Sequence, residues 1–308
     1  MAKFYRKLAV LAKIETVYGT DAVPTGVANA IQLNNATITP LAGDQASRDL
    51  MLPYLGQQGV ILVGTYAQMS GQVEIAGAGA AGDVPGYGVL LRACGLAETV
   101  TAATDVQYDP ISAAFEAVTL YFNHDGRRHI LLGARGNVSI DLTPKQIPHF
   151  TFTFTGMLGT IADSALPSVD YTAFQIPVPV NKANTTLSLH GISSIAESLQ
   201  LDLANQVEPR FLIGDENIQL VDRNPSGTAV VEAQALGTVN WFSIAQAQTR
   251  GVLAAQHGTV AGNIVKFGAP AVSIGRPTEG QTQKIINFSL PLMLNTDAGD
   301  DELKITVM

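Results

Sequence analysis

Gly77-Ala78-Gly79-Ala80-Ala81-Gly82 has the spacing of a phosphate-cradling turn. In such a turn the glycines let backbone approach a dinucleotide, and the helix that follows aims its amides at the pyrophosphate. Here Asp83, Pro85, Gly86 and Gly88 come before any helix can start, and no βαβ pattern surrounds them. A flexible loop is the reading that stands. The five histidines (His124, His129, His149, His190 and His257) show neither H-x-H nor H-E-x-x-H spacing, so they predict no zinc site. His124 and His129 flank a turn and read as solvated polar residues. The single cysteine, Cys94, lies in the apolar run Val89–Cys94 and reads as a buried, inert thiol. No G-x-S-x-G elbow marks a nucleophile. Asp297, Asp300, Asp301 and Glu302 are the one dense acidic cluster. They lack the other positions of a calcium loop and read as a solvated loop, or secondarily as an acidic patch facing DNA or a neighbour. The residues therefore nominate no catalysis, no cofactor and no metal.

The elements that would have carried such groups are strands. Residues 27–41, Tyr66–Ile75, Phe115–Phe122, Val138–Leu142 and His149–Leu158 read as strands from their apolar and polar alternation, the period-2 signature of half-buried strands, and His129–Ala134 reads as the strand that returns after Phe115–Phe122. Asp125-Gly126 marks a hairpin turn. Pro40 is read as the end of the first of these strands. Val89–Leu96 and Asn240–Gln248 are the two helix candidates, with Asn240 as an N-cap. Residues 1–25 read as a polar arm. The run Leu8–Ala12 is too short for a signal peptide, and no stretch approaches a membrane helix. Residues 42–64 and Gln206–Asp222 read as two long connections. Leu166–Val180, with Pro167, Pro177 and Pro179, reads as a linker.

The segments echo one another across the chain. Gly133-Ala134 matches Gly268-Ala269 (268 − 133 = 135), Val138-Ser139-Ile140 matches Val272-Ser273-Ile274 (272 − 138 = 134), and Phe152 matches Phe288 (288 − 152 = 136). Upstream, Arg48 matches Arg210 (210 − 48 = 162), Ser70-Gly71 matches Ser226-Gly227 (226 − 70 = 156), and Val73-Glu74 matches Val231-Glu232 (231 − 73 = 158). The drop in offset means that the second copy is shorter in its middle. A duplicated β unit is predicted, with residues 1–165 and 181–308 as two domains joined by 166–180, each with its own core.

Only 14% of the 308 residues are charged, against roughly 25% in ordinary soluble domains. A surface so poor in charge suits burial against copies of itself. The net charge of −8 argues against a tight grip on nucleic acid, which needs clustered bases, but suits a surface that DNA slides past. The two long connections carry Arg48, Leu50, Met51, Tyr54 and Leu55 in one and Arg210, Phe211 and Leu212 in the other. Apolar side chains on a connection need a partner surface, and arginines at matching places favour a shared contact, an ion pair to a neighbouring subunit. These eight residues are the contact candidates.

The phrases LAKIETVYGTDAVPTG (residues 11–26), LLRACGLAETV (90–100) and TVAGNIVKFGAP (259–270), with the order of segments, resemble the major tail tube proteins of long non-contractile-tailed bacteriophages from Leu11 to Val307. The resemblance implies two tandem β-sandwich or split-barrel domains, each with one short helix. It implies stacked rings in which three two-domain chains act as a pseudo-hexamer around a DNA conduit. Long loops and terminal arms, including Ala2–Thr25, would bridge rings. It implies a structural role without catalysis, a place in the virion tail after synthesis in the host cytoplasm, and other tail proteins such as tape measure and terminator as partners, with no membrane. A tail-completion or baseplate ring protein is the alternative within that setting. A β-sandwich binding module is the alternative outside it, disfavoured because the exposed aromatic cluster it needs is missing from a chain with 6% aromatics and one tryptophan, Trp241.

Overall fold

The computed structural model describes residues 3–308. Among the described residues the chain is mostly β, as the alternation predicts, with three short helices. In the first half the elements run β1 (Leu8–Ile14), α1 (Gly26–Asn29), β2 (Ala30–Ile31), β3 (Asn34–Ser47), β4 (Val60–Glu74), α2 (Gly88–Ala93), β5 (Leu96–Thr101), β6 (Asp105–Pro110), β7 (Val118–His124), β8 (Arg127–Leu142), β9 (His149–Leu158) and β10 (Ala162–Asp163). The second half runs β11 (Thr185–Leu189), β12 (Ile192–Ser193), β13 (Ala196–Asp202), β14 (Asn205–Leu212), β15 (Asp215–Arg223), β16 (Ser226–Glu232), α3 (Trp241–Gln246), β17 (Gly251–His257), β18 (Val265–Ile274), β19 (Thr278–Thr282), β20 (Ile285–Asn295) and β21 (Lys304–Val307).

Strands hydrogen-bond side by side in the order β2-β1-β7-β8-β9-β4-β3 in the first half. In the second half the order is β12-β11-β17-β18-β20-β16-β13. The connectivity is the same and every pairing is antiparallel. The change in offset has a concrete source. From the end of α2 to the start of β7 the chain advances 118 − 93 = 25 positions, and from α3 to β17 only 251 − 246 = 5. The extra segment is the β5–β6 hairpin, which alternation did not flag.

Two local readings change. Leu8–Ile14 is no arm: β1 pairs with β7 along its whole length and buries Val10, Leu11 and Ala12. Pro40 does not end its strand. β3 continues to Ser47, with register shifts around Thr39 and Ala42, and an edge strand tolerates a missing amide at such a bulge. The helix candidates form close to expectation, though α2 stops at Ala93 and Leu96 opens a strand. Asn240 caps α3 by accepting from the Ser243 amide at 3.0 Å. Asp125-Gly126 turns β7 into β8, both residues at positive φ. Residues 166–180 contain no strand.

Most buried apolar side chains form one cluster that runs through both halves, rather than one core per half, and a small second cluster joins Leu11, Ala30, Tyr121 and Ile130 in the first half. Phe150, Phe152 and Phe154 line the inner face of β9, and Phe150 meets Phe267 of the second half edge-on at 6.0 Å. Direct strand pairing crosses the halves as well. Ser139–Leu142 of β8 pair with Leu199–Asp202 of β13, and β21 lies between β18 and β6.

Candidate assembly surface

The two long connections are hairpin arms. Val60–Val63, apolar and largely β-branched, pair back onto Asp44–Ser47, so only residues 48–59 stay irregular. The second connection is a complete two-stranded ribbon, β14–β15, turning at Ile213-Gly214 with Gly214 at φ +93°. Each arm extends a strand pair of its sheet, β3–β4 in one half and β13–β16 in the other.

The second arm is seated within the chain. Tyr18 Oη accepts from the Ile218 amide at 2.6 Å. The Arg135 guanidinium donates to the Ile218 carbonyl at 2.8 Å and to the Phe115 carbonyl at 2.9 Å, and lies 4.9 Å over the Tyr18 ring. Burial lowers the Arg135 pKa from its ordinary value, partly offset by Tyr18 and Glu15. Asn205 donates to the carbonyls of Cys94, at the end of α2, and of Gly136 (2.6 and 3.0 Å). Its own amide donates to Asn137 Oδ1 at 2.9 Å. Burial pushes the Cys94 thiol well up, consistent with an inert core residue.

Glu15 braces the socket, accepting from the Gly19 amide, the Thr119 hydroxyl and the Gly133 amide at 2.6 to 2.8 Å. At the far side Arg223 pairs with Asp300 and with Glu302, the latter at 3.3 Å. The acidic cluster is therefore only partly solvated. Asp301 caps the amides of Asp297 and Ala298 in its own loop, which holds its carboxyl below the usual range.

The eight contact candidates divide between the arms. Phe211 is half-buried and stacks on Tyr66 at the base of the first arm, with centroids 6.4 Å apart and planes at 23°. Arg210 and Leu212 are exposed. In the first arm Arg48, Leu50, Met51, Tyr54 and Leu55 are all exposed, Met51 and Leu55 completely, and Val60–Val63 are exposed alongside them. Neither Arg48 nor Arg210 forms an ion pair among the described residues.

The glycine-rich run packs loop against loop. The Gly79 amide donates to the Gly262 carbonyl and the Gly77 amide to Asn263 Oδ1, each at 2.8 Å. A Cβ on Gly77 would lie 2.2 Å from the Gly262 oxygen, which explains the glycine without a phosphate.

The architecture thus offers strand edges and an apolar arm. The phage tail tube protein family model matches residues 6–292. The chain belongs to the phage tail tube protein family. No curated protein sequence matches it. Membership makes it a structural virion protein of the tail, in keeping with its strand-rich fold. Among the described residues no helix is long and apolar enough to cross a membrane.

Sequence reasoning missed the socket: Glu15, Tyr18, Arg135 and Asn205. Arg135 carried the available signal, a cation directly after the apolar run Ile130–Ala134 of a strand, where charge is rare unless paired.

Proposed function

We propose that this tail tube chain is two tandem β units, residues 1–165 and 181–308 joined by 166–180, and that copies close into rings by repeating between chains the joint that links its halves. The supporting observation is the β8–β13 pairing. By strand order, β3 is the counterpart of β13 and β18 of β8. Among the described residues β3 pairs only with β4, and beyond Val272 the edge of β18 facing β17 has no partner. The chain therefore ends in the two edges that it joins internally. Unpaired edges recruit strands, and closure removes them.

Six units per ring, the number that the family resemblance implies, need three chains. Stacked rings would enclose the DNA path, and the net charge of −8 favours passage over retention of a polyanion. The role is geometric and needs no catalytic group. Tape measure and terminator proteins would meet the tube at its lumen and its end. Negative-stain microscopy of the purified protein tests this reading. Rings or tubes of constant diameter are expected, and monodisperse monomers under all assembly conditions would overturn it.

A further inference from the structure

The second half carries a groove that the first half has already filled. It measures about 740 Å³ and is lined by Phe242, Ala245, Gln248, Arg250, Ile274 and Arg276, among others, from the end of α3 and the end of β18. The matching place in the first half lies at the end of α2 and along β8, and there the β14–β15 arm sits, with Asn205 on the Cys94 carbonyl and Leu220 against Gly95. The two helix ends are built alike: Cys94 and Ala247 close the helices, and the next residues, Gly95 and Gln248, both take positive φ (78° and 51°).

We infer that the groove between α3 and β18 is the seat for the β3–β4 arm, residues 42–63, of the laterally adjacent copy. Three observations support this occupant. The arm that fills the matching groove holds the matching place in strand order, and within the chain its own seat is taken. The free arm exposes Leu50, Met51, Leu55 and Val60–Val63, apolar surface that burial would remove from water, and the groove offers Phe242, Ala245 and Met293. Charge is complementary on balance: Arg250 and Arg276 lack an ion-pair partner among the described residues, and the arm brings Asp44 and Asp49 against one base of its own, Arg48. The arm is a shaped body rather than a loose strap, since Gln58 bridges the amide and carbonyl of Leu50 across its tip. The inference rests on the ring reading and adds to it which surfaces meet.

Gln45→Cys and Gln246→Cys place thiols on the arm and the groove, both exposed, while native Cys94 is buried. The two single variants are mixed under assembly conditions and treated with a short bismaleimide, with retained folding checked by thermal unfolding. A cross-linked dimer that forms only in the mixture is expected. A chain carrying both thiols should give a ladder that stops at the copy number of one ring. Arg250→Glu with Arg276→Glu should lower the yield about tenfold or more through like-charge contact, and adding Asp44→Lys with Asp49→Lys should restore it. Tubes without the cross-link, a ladder that runs past one ring, or no recovery on charge exchange would overturn the inference alone. No assembly and no cross-link would overturn it together with the ring reading.

Discussion

The β14–β15 arm and the distal β3–β4 arm extend equivalent strand pairs, yet one is housed and the other is not. The housed arm is held by polar groups that reach backbone: Tyr18, Arg135 and Asn205 meet Ile218, Cys94 and Gly136. The free arm is richer in bare apolar surface, with Val60–Val63 open beyond its tip. A housed arm can afford hydrogen bonds specific to one geometry, because its partner is always present. An arm awaiting a partner relies on non-directional burial, which tolerates the approach. The difference teaches where fold stability ends and assembly begins, and substitutions on the two arms should separate those effects.

The largest expected effect on the isolated chain is at Arg135. Arg135→Ala removes the Phe115 carbonyl's side-chain donor and the shorter of two donors to the Ile218 carbonyl, with Tyr18 Oη remaining at 3.3 Å, at about 3 kcal/mol in total from the usual penalty for lost partners of a buried charged donor. Urea unfolding should show the loss. Arg48→Ala, on the exposed arm, should stay within about 0.5 kcal/mol. Equal losses at the two positions would break the contrast between housed and free arms.

Phe211 is the sharper test, because it lies where the housed arm touches the base of the free one. Phe211→Ala removes a half-buried ring from Tyr66, which should cost about 2 kcal/mol, below the range for a fully buried phenylalanine. Tyr54→Ala, on the free tip, should leave unfolding of the isolated chain within about 0.5 kcal/mol. Asn205→Ala loses donors to two carbonyls and, at the low end of the penalty per unsatisfied neutral group, should cost about 2 kcal/mol, again by urea titration. If Asn205→Ala were silent while Phe211→Ala was costly, the housed arm would be held by apolar contact, and the proposed distinction between the arms would fail.

Alternation made most strands legible because one face of each is buried, as in Phe150-Phe152-Phe154 against Thr151-Thr153. It failed for β1, where Ala9–Ala12 are buried on both faces and so show no period, as central strands do not. It failed for the first arm for the opposite reason: Val60–Val63 are exposed on both faces. The contact candidates were legible as apolar residues in turn-rich sequence, but the engagement of Phe211 was not. Its partner Tyr66 lies 211 − 66 = 145 positions away. The same distance hid the socket, whose polar groups join residues that no local period links.

The smallest prediction compares the halves through their histidines. His124 closes β7 opposite Leu8, and His257 closes β17 opposite Thr185. His257 is buried, with Nδ1 2.9 Å from the Thr185 hydroxyl and Nε2 3.1 Å from the Val178 carbonyl, so Nε2–H donates and Nδ1 accepts. Burial lowers its pKa from the ordinary 6.5, offset in part by the Val178 hydrogen bond. The fold therefore favours the neutral ring. Its contribution is fully present above pH 6.5 and is lost as pH falls through the depressed folded value. His129 and His190 are lowered by burial too, so the thermal midpoint of the native chain should hold above pH 6.5 and fall below it. In His257→Gln the fall should be shallower but not abolished, because two histidines remain. A variant whose pH profile runs parallel to that of the native chain would show that His257 titrates alike in the folded and unfolded chain, and that its two hydrogen bonds do not discriminate against the charged ring.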